Sequence, residues 1–186
     1  MNLPNKISLF RILLVPCIVA SLLYYHPSRD GLRYVTLALF VIGVLSDALD
    51  GFIARTTHQQ SPLGAVLDPI ADKLLILGTL ISLSAIHGLP AMMRIPAWFN
   101  LIVLSRDAVL LVGTILIILF TGSSFPVKPN MLGKCTSVSQ MLAIPTALLG
   151  ITSAAKTGLL IAAALLTIAS GISYVRIGAR LAANDA

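Results

Sequence analysis

Long apolar segments, separated by short polar stretches that contain Pro and Gly, make up most of this chain. Each one approaches or exceeds the roughly 20 apolar residues that a transmembrane helix needs. None alternates apolar and polar residues as a barrel strand would. We therefore predict an all-α integral membrane protein: a six-helix transmembrane bundle, in a single domain over residues 1–186. The predicted spans are Ile7–Tyr25, Leu32–Ile53, Leu67–His87, Pro96–Phe120, Cys135–Thr152 and Gly158–Ile177.

The overall composition agrees with a membrane protein. Hydrophobic residues form 57% of the 186 residues and charged residues only 11%, against roughly 25% charged residues in soluble domains. A soluble domain of this size could not bury so much apolar surface. The composition therefore excludes a soluble enzyme, a secreted disulfide scaffold and a disordered chain.

The formal net charge of +6 comes from basic residues scattered between the apolar segments rather than clustered. Scattered basic residues fit the positive-inside rule better than binding to nucleic acid. With the N-terminus in the cytoplasm, eight of them fall on the inner side and four on the outer side. We therefore predict a multi-pass protein of the cytoplasmic membrane, with both termini in the cytoplasm and no nucleic-acid partner.

The acidic residues are distributed unevenly. All seven are Asp, and Asp47, Asp50, Asp68 and Asp72 fall within 26 residues. Asp47 and Asp50 are i, i+3 at the end of the second span, and Asp68 and Asp72 are i, i+4 near the start of the third. Each pair therefore shares a helix face. A short linker makes the two helices antiparallel neighbours, so the two pairs are expected to converge at one membrane depth.

Four carboxylates close to a low-dielectric core would repel one another strongly unless cations neutralised them. All-oxygen anionic ligands select hard divalent ions, Mg²⁺ or Mn²⁺. The four aspartates are sufficient for two such ions, and paired metals suit a displacement at phosphorus. Helix capping and interfacial solvation are the alternative explanation for the aspartates. Either Asp68 caps a helix that starts at Pro69, or Pro69 kinks a helix that begins near Pro62.

The spacing of these residues resembles the signature of the CDP-alcohol phosphotransferase family at every fixed position: Asp47-x2-Asp50-Gly51-x2-Ala54-Arg55-x8-Gly64-x3-Asp68-x3-Asp72. The resemblance implies six transmembrane helices, a homodimer and a cavity open to the cytoplasmic side. It also implies a reaction in which an alcohol displaces CMP from a CDP-linked lipid.

The resemblance further implies roles for individual residues. Asp47, Asp50 and Asp68 would be metal ligands, and Asp72 would lie near the second metal and act as the general base. The CDP-lipid donor would bind to Asp50, Gly51, Ala54, Arg55, Gly64 and Asp68. A carboxylate suits the role of Asp72, because a hydroxyl is a poor nucleophile until a group within hydrogen-bond reach takes its proton.

Cations in the later segments define a second candidate site. Arg106 lies inside the fourth span, where an ionisable residue is a functional candidate by default; the alternative is a structural ion pair with Asp107 or another helix. For Lys134, Arg176 and Arg180 the alternatives are snorkelling and positive-inside bias. We predict that Arg106, Lys134, Arg176 and Arg180 form a basic pocket beside the metal site that binds a phosphate-bearing acceptor.

Short local strings resemble the branches of this family with glycerol-type acceptors. Asn5 with Arg11, and the Ser170–Gly178 stretch, look like phosphatidylglycerophosphate synthases, while Ser105-Arg106-Asp107 and the stretch from Leu132 to Gln140 also look like CDP-alcohol-type cardiolipin synthases. The expected reaction transfers a phosphatidyl group from CDP-diacylglycerol to glycerol 3-phosphate, giving phosphatidylglycerol phosphate and CMP in phospholipid biosynthesis.

Other functions stay open at this point. Phosphatidylglycerol is the alternative acceptor and would give cardiolipin. An intramembrane prenyltransferase usually shows two separated Asp-rich motifs, whereas only one acid-rich window exists here. A cation transporter with an intramembrane Asp site is the non-enzyme alternative, although the sequence shows no inverted repeat.

Overall fold

The all-helical class is confirmed by the computed structural model, which describes residues 3–56, 62–121, 131–151 and 153–184. Side chains are described in the same ranges except at 3–4, 48, 50–56, 62–63, 65–66, 116–121, 153 and 177–184. In these ranges the chain forms six α-helices and a short 3₁₀ helix, Pro27–Arg29. The α-helices are α1 Leu3–Leu23, α2 Gly31–Thr56, α3 Pro62–Ala85, α4 Ala97–Thr121, α5 Met131–Leu148 and α6 Ser153–Asn184.

Each helix overlaps one predicted span, and the differences at their ends have local causes. Helix α3 begins at Pro62 and continues through Pro69, so of the two arrangements considered for Pro69, the helix that starts earlier is the one observed. Helix α5 ends four residues before the predicted Thr152. It stops there because Gly150 adopts a left-handed backbone with φ of 65°, the usual way in which a glycine ends a helix.

Three helices are both long and apolar enough to cross a bilayer within the described part of the chain. The qualifying stretches are Asn5–Leu23, Ala97–Ile115 and Ala154–Arg176. Six crossings, and a cavity open to the cytoplasm, stay predictions.

Backbone contacts divide the chain into two compact units, Met1–Ile95 with Ile144–Ile151, and Pro96–Ala143 with Thr152–Ala186. The single-domain assignment over residues 1–186 stays a prediction. In the first unit, α1 packs against both α2 and α3. Glycines allow the helices of this unit to approach closely. A Cβ added at Gly43 on α2 would lie 2.7 Å from Leu75 Cδ2 on α3, and one added at Gly78 on α3 would lie 2.9 Å from Val15 Cγ1 on α1.

In the second unit, α4 packs against α6, and α5 is joined to α6 by polar contacts. The Thr136 hydroxyl lies 3.2 Å from the Leu166 carbonyl oxygen, to which it donates. The Gln140 side-chain amide donates to the Thr167 hydroxyl at 3.4 Å. Polar groups buried in apolar helices are satisfied here by partners on neighbouring helices.

Candidate active site

The acid-rich motif lies on α2 and α3, in the first unit. Asp47 is on α2, Asp68 and Asp72 are on α3, and all three side chains are partly buried. Asp50 is on α2, one helical turn after Asp47, but its side chain lies outside the described residues. Each of the two acid pairs therefore lies on a continuous helix, as the predicted sharing of a helix face requires.

Helix α1 contacts both acid-bearing helices through two polar side chains. The Arg11 guanidinium donates from Nη1 to Asp47 Oδ1 at 2.6 Å. The Ser8 hydroxyl donates to Asp68 Oδ1. The Arg11 side chain is 0% exposed, whereas that of Asp47 is 40% exposed. One apolar helix therefore holds one carboxylate of each neighbouring helix.

The apolar pattern and the acid-rich motif do not by themselves indicate these roles of Ser8 and Arg11. In the sequence, Arg11 stands out only as part of a family-like string with Asn5, and Ser8 belongs to no motif. A signal is present in the sequence, because Asn5, Ser8 and Arg11 are polar residues spaced by three in a mostly apolar helix. All three are buried, at 4%, 0% and 0% exposure.

The donor chemistry of the motif fits a hard divalent cation. Asp47, Asp68 and Asp72 offer only carboxylate oxygens, which Mg²⁺ and Mn²⁺ prefer, and they belong to one compact unit. Among the described residues, no group of three His, Cys or Asp side chains is arranged to hold a metal ion. Since Asp50 is not among them, the four-carboxylate set and its two ions stay predictions.

The remaining donor-site predictions concern small residues and a cation. Gly64 is buried on α3. Gly51, Ala54 and Arg55 lie on the last turns of α2, and their side-chain surroundings fall outside the described residues. The predicted contacts of these residues with the CDP moiety therefore stay predictions.

Arg106 lies in the second unit, on α4, and has several partners. Its guanidinium donates to Asp107 Oδ1 at 2.8 Å and to Ser170 Oγ at 3.0 Å, and it lies 5.8 Å from the centre of the Tyr174 ring. The side chain is 9% exposed. The ion pair with Asp107, considered as the structural alternative, does form. It forms because the long Arg side chain can reach a neighbour that leaves the helix in another direction.

A cavity of about 490 Å³ lies between α4 and α6. Arg106 and Arg176 both line it, among mostly apolar residues such as Val109, Ile168 and Ile172. Two of the four predicted acceptor-binding cations are thus brought to one cavity within one unit.

The other two predicted acceptor residues are less closely defined. Lys134 is exposed on α5. Its neighbour Gly133 packs near Arg106, because a Cβ added there would lie 3.5 Å from Arg106 Nη2. The Arg180 side chain lies outside the described residues. Acceptor binding by any of the four cations stays a prediction.

These features define a class: a helical membrane protein in which carboxylates of two helices contact a third, apolar helix. The particular family follows from sequence comparison. The sequence profile of the CDP-alcohol phosphatidyltransferase family matches residues 1–170. The chain belongs to this family, which confirms the resemblance found in the motif. Members of the family generally depend on divalent metals.

Curated relatives carry the names of two reactions. A cardiolipin synthase (CMP-forming) from Streptomyces coelicolor is 38% identical over 152 residues, covering 80% of this chain and 66% of the relative. A CDP-diacylglycerol–glycerol-3-phosphate 3-phosphatidyltransferase from Bacillus subtilis is 33% identical over 157 residues, covering 80% of this chain and 77% of the relative. A second relative of that name, from Cereibacter sphaeroides, is 30% identical over 149 residues, covering 80% of this chain and 64% of the relative. The chain thus spans just under two thirds of the length of the Streptomyces relative.

Proposed function

We propose that this protein transfers the phosphatidyl group of CDP-diacylglycerol to the hydroxyl of a glycerol-type acceptor and releases CMP. Glycerol 3-phosphate is the first acceptor proposed, and phosphatidylglycerol phosphate is then the lipid product. The names of the Bacillus and Cereibacter relatives support this acceptor.

The observation that carries the proposal is the placement of the motif aspartates. Asp47 and Asp68 lie on different helices, yet both accept hydrogen bonds from α1 within one compact unit. Carboxylates held in fixed positions are what a diphosphate substrate with divalent cations requires. Membership of the CDP-alcohol phosphatidyltransferase family connects this arrangement with phosphatidyl transfer.

In the proposed reaction Asp72 is the general base. The acceptor hydroxyl oxygen forms a bond to the phosphorus of the phosphatidyl group, and the bond from that phosphorus to the bridging diphosphate oxygen breaks. Asp72 takes the hydroxyl proton, and CMP leaves with the bonding electrons. General-base catalysis of this kind contributes typically 10²–10⁴-fold to the rate.

The aspartates Asp47, Asp50, Asp68 and Asp72 would hold two Mg²⁺ or Mn²⁺ ions. When bound, such ions would neutralise the diphosphate and stabilise charge on the departing oxygen. The CDP moiety would contact Gly51, Ala54, Arg55 and Gly64, whose mostly small side chains allow a ligand to approach the helix surface closely.

The acceptor would bind through Arg106 and Arg176, with Lys134 and Arg180 completing the pocket. A guanidinium matches a phosphate with two parallel hydrogen bonds, so arginines suit a phosphate-bearing acceptor. A second acceptor, phosphatidylglycerol, is favoured by two observations. The cavity beside Arg106 has a mostly apolar lining, which suits a lipid, and the Streptomyces relative is named a cardiolipin synthase.

The test is a CMP-release assay on the purified full chain in detergent micelles with CDP-diacylglycerol and Mn²⁺. Glycerol 3-phosphate, phosphatidylglycerol, inositol and no acceptor form the panel, and Asp72→Asn is the control variant. Release of CMP with glycerol 3-phosphate alone supports the first acceptor. Release with phosphatidylglycerol alone supports the second. No CMP with any acceptor refutes the transferase.

The proposed location of the protein is the cytoplasmic membrane, where it would be a homodimer surrounded by membrane lipids. Each chain would cross the membrane six times, with both termini in the cytoplasm and the active-site cavity open to the cytoplasmic side. Cysteine accessibility in inside-out and right-side-out vesicles tests the orientation, using the loop at Arg29 and the N-terminus as reporters. The mass of the detergent-solubilised particle tests the dimer. A monomeric mass contradicts the homodimer, and an N-terminus labelled only from outside contradicts the proposed orientation.

A further inference from the structure

Helix α1 presents a buried row of polar residues, Asn5, Ser8 and Arg11, which we name the polar stripe. Successive members are three residues apart, so they follow one face of the helix. Burying a guanidinium in an apolar setting costs free energy, and a protein with apolar side chains of similar volume in place of a buried ion pair is often equally or more stable. Packing of α1 alone therefore does not account for Arg11.

Two members of the polar stripe contact acids of the motif. Arg11 donates to Asp47 on α2 at 2.6 Å, and Ser8 donates to Asp68 on α3. Both contacts use the Oδ1 atom of the acid. A carboxylate has two oxygens and about four lone-pair sites, so the Oδ2 atom of each acid lies outside these two contacts.

These contacts fix the direction in which each acid points. A carboxylate on a free side chain samples several rotamers, whereas one held through Oδ1 presents Oδ2 in a defined direction. The pair between Arg11 and Asp47 is buried at the arginine and 40% exposed at the acid. The arginine end of this contact is therefore buried, while the Asp47 side chain keeps a surface that a ligand can reach.

We propose that Ser8 and Arg11 are positioning residues that orient the carboxylates of Asp47 and Asp68 toward a divalent cation. The proposal rests on the proposed function for the identity of the ligand. It adds α1 to a site that the motif confines to α2 and α3. Groups that orient metal ligands typically change metal affinity 10–100-fold when they are removed.

Binding of Mn²⁺ to the full chain in detergent micelles tests the proposal without any turnover. We expect Ser8→Ala to weaken Mn²⁺ binding about ten-fold, and Ser8→Thr, which keeps the hydroxyl, to restore it to within roughly two-fold of wild type. The matched control is Ser21→Ala on the same helix. The Ser21 hydroxyl contacts Thr36 Oγ1 at 2.7 Å and none of the motif acids whose side chains are described, so this variant should bind Mn²⁺ as wild type does.

Arg11→Lys separates orientation from charge. Lysine keeps the positive charge but lacks the planar fork, so a loss of Mn²⁺ affinity reports the orientation of Asp47. We expect a loss of about ten-fold. Thermal unfolding of each variant without metal confirms that it is folded, and the Ser8 variants keep the test decisive if Arg11→Lys does not fold.

The outcomes separate this proposal from the proposed function. If Ser8→Ala and Arg11→Lys both bind Mn²⁺ as tightly as wild type while Asp68→Asn binds it weakly, the positioning role is overturned. If the wild type binds no Mn²⁺, it is overturned as well. If the variants lose affinity as expected but the wild type releases no CMP with any acceptor, the positioning role is supported and the transferase proposal fails.

Discussion

The ion pair between Arg11 and Asp47 is buried at one end only. The Arg11 side chain is 0% exposed and the Asp47 side chain 40% exposed. Removing the acid and removing the cation should therefore affect stability unequally. Asp47→Ala leaves a guanidinium in the interior without this partner, whereas Arg11→Met removes the buried charge and leaves a carboxylate that water can reach.

The expected free energies of unfolding follow from this asymmetry. Breaking a buried pair by removing one partner costs about 3–5 kcal/mol. We expect about 3 kcal/mol for Asp47→Ala, at the low end of that range, because Arg11 also engages other groups. Replacing a buried charge with an apolar side chain is often nearly neutral, so we expect about 1 kcal/mol or less for Arg11→Met. The difference of about 2 kcal/mol is roughly 30-fold in the unfolding equilibrium constant.

Unfolding of the purified chain in mixed micelles, titrated with a denaturing detergent in the presence of a chelator, measures this difference without bound metal. The double variant completes the cycle and should be close to Arg11→Met alone, because the acid then has no buried partner to compensate. If Arg11→Met destabilises the protein as much as Asp47→Ala, or more, the reasoning from burial is refuted.

Three further predictions concern catalysis, packing and acceptor binding. Asp72→Asn should lower kcat for CMP release by about 10²–10⁴-fold and leave the affinity for CDP-diacylglycerol within a few-fold; equal loss of both would make Asp72 a structural ligand. Gly43→Ala should lower the free energy of unfolding by about 1 kcal/mol, the low end of the cost of overpacking, since its Cβ would lie 2.7 Å from Cδ2 of the fully buried Leu75, the movable end of that side chain. Gly113→Ala, which meets nothing within 4 Å, serves as the matched control, and equal destabilisation of the two would contradict the packing argument. Arg106→Lys should raise KM for the acceptor about ten-fold through loss of the planar fork and leave KM for CDP-diacylglycerol unchanged; a change confined to the donor KM would remove Arg106 from the acceptor site.

The helices could be predicted from the sequence because each apolar segment is long, continuous and bounded by residues that break helices. Their ends were less accurate, since the last turn depends on individual backbone positions. Gly150 shows this for α5: its left-handed φ of 65° ends the helix, and nothing in the apolar pattern marks that residue rather than Thr152.

The motif could be predicted because its chemistry is carried by spacing along the chain, and spacing is visible in a sequence. The partners of the motif could not, because they are distant: Ser8 and Asp68 are 60 residues apart, and Arg11 and Asp47 are 36 apart. Arg106 shows a different limit. Adjacent residues on a helix point in different directions, yet the flexible Arg side chain still reaches Asp107 at 2.8 Å.

The position of α1 before α2 in the chain has a consequence for biosynthesis. A ribosome completes Arg11 before Asp47, so the cation reaches the membrane before the acid that neutralises it. An arginine within an inserting helix costs about 2.5–3.5 kcal/mol at the helix centre, and pairing with an acid offsets part of that cost. In the predicted six-span arrangement, the first two helices therefore have an electrostatic reason to enter the bilayer together as a hairpin rather than one after the other.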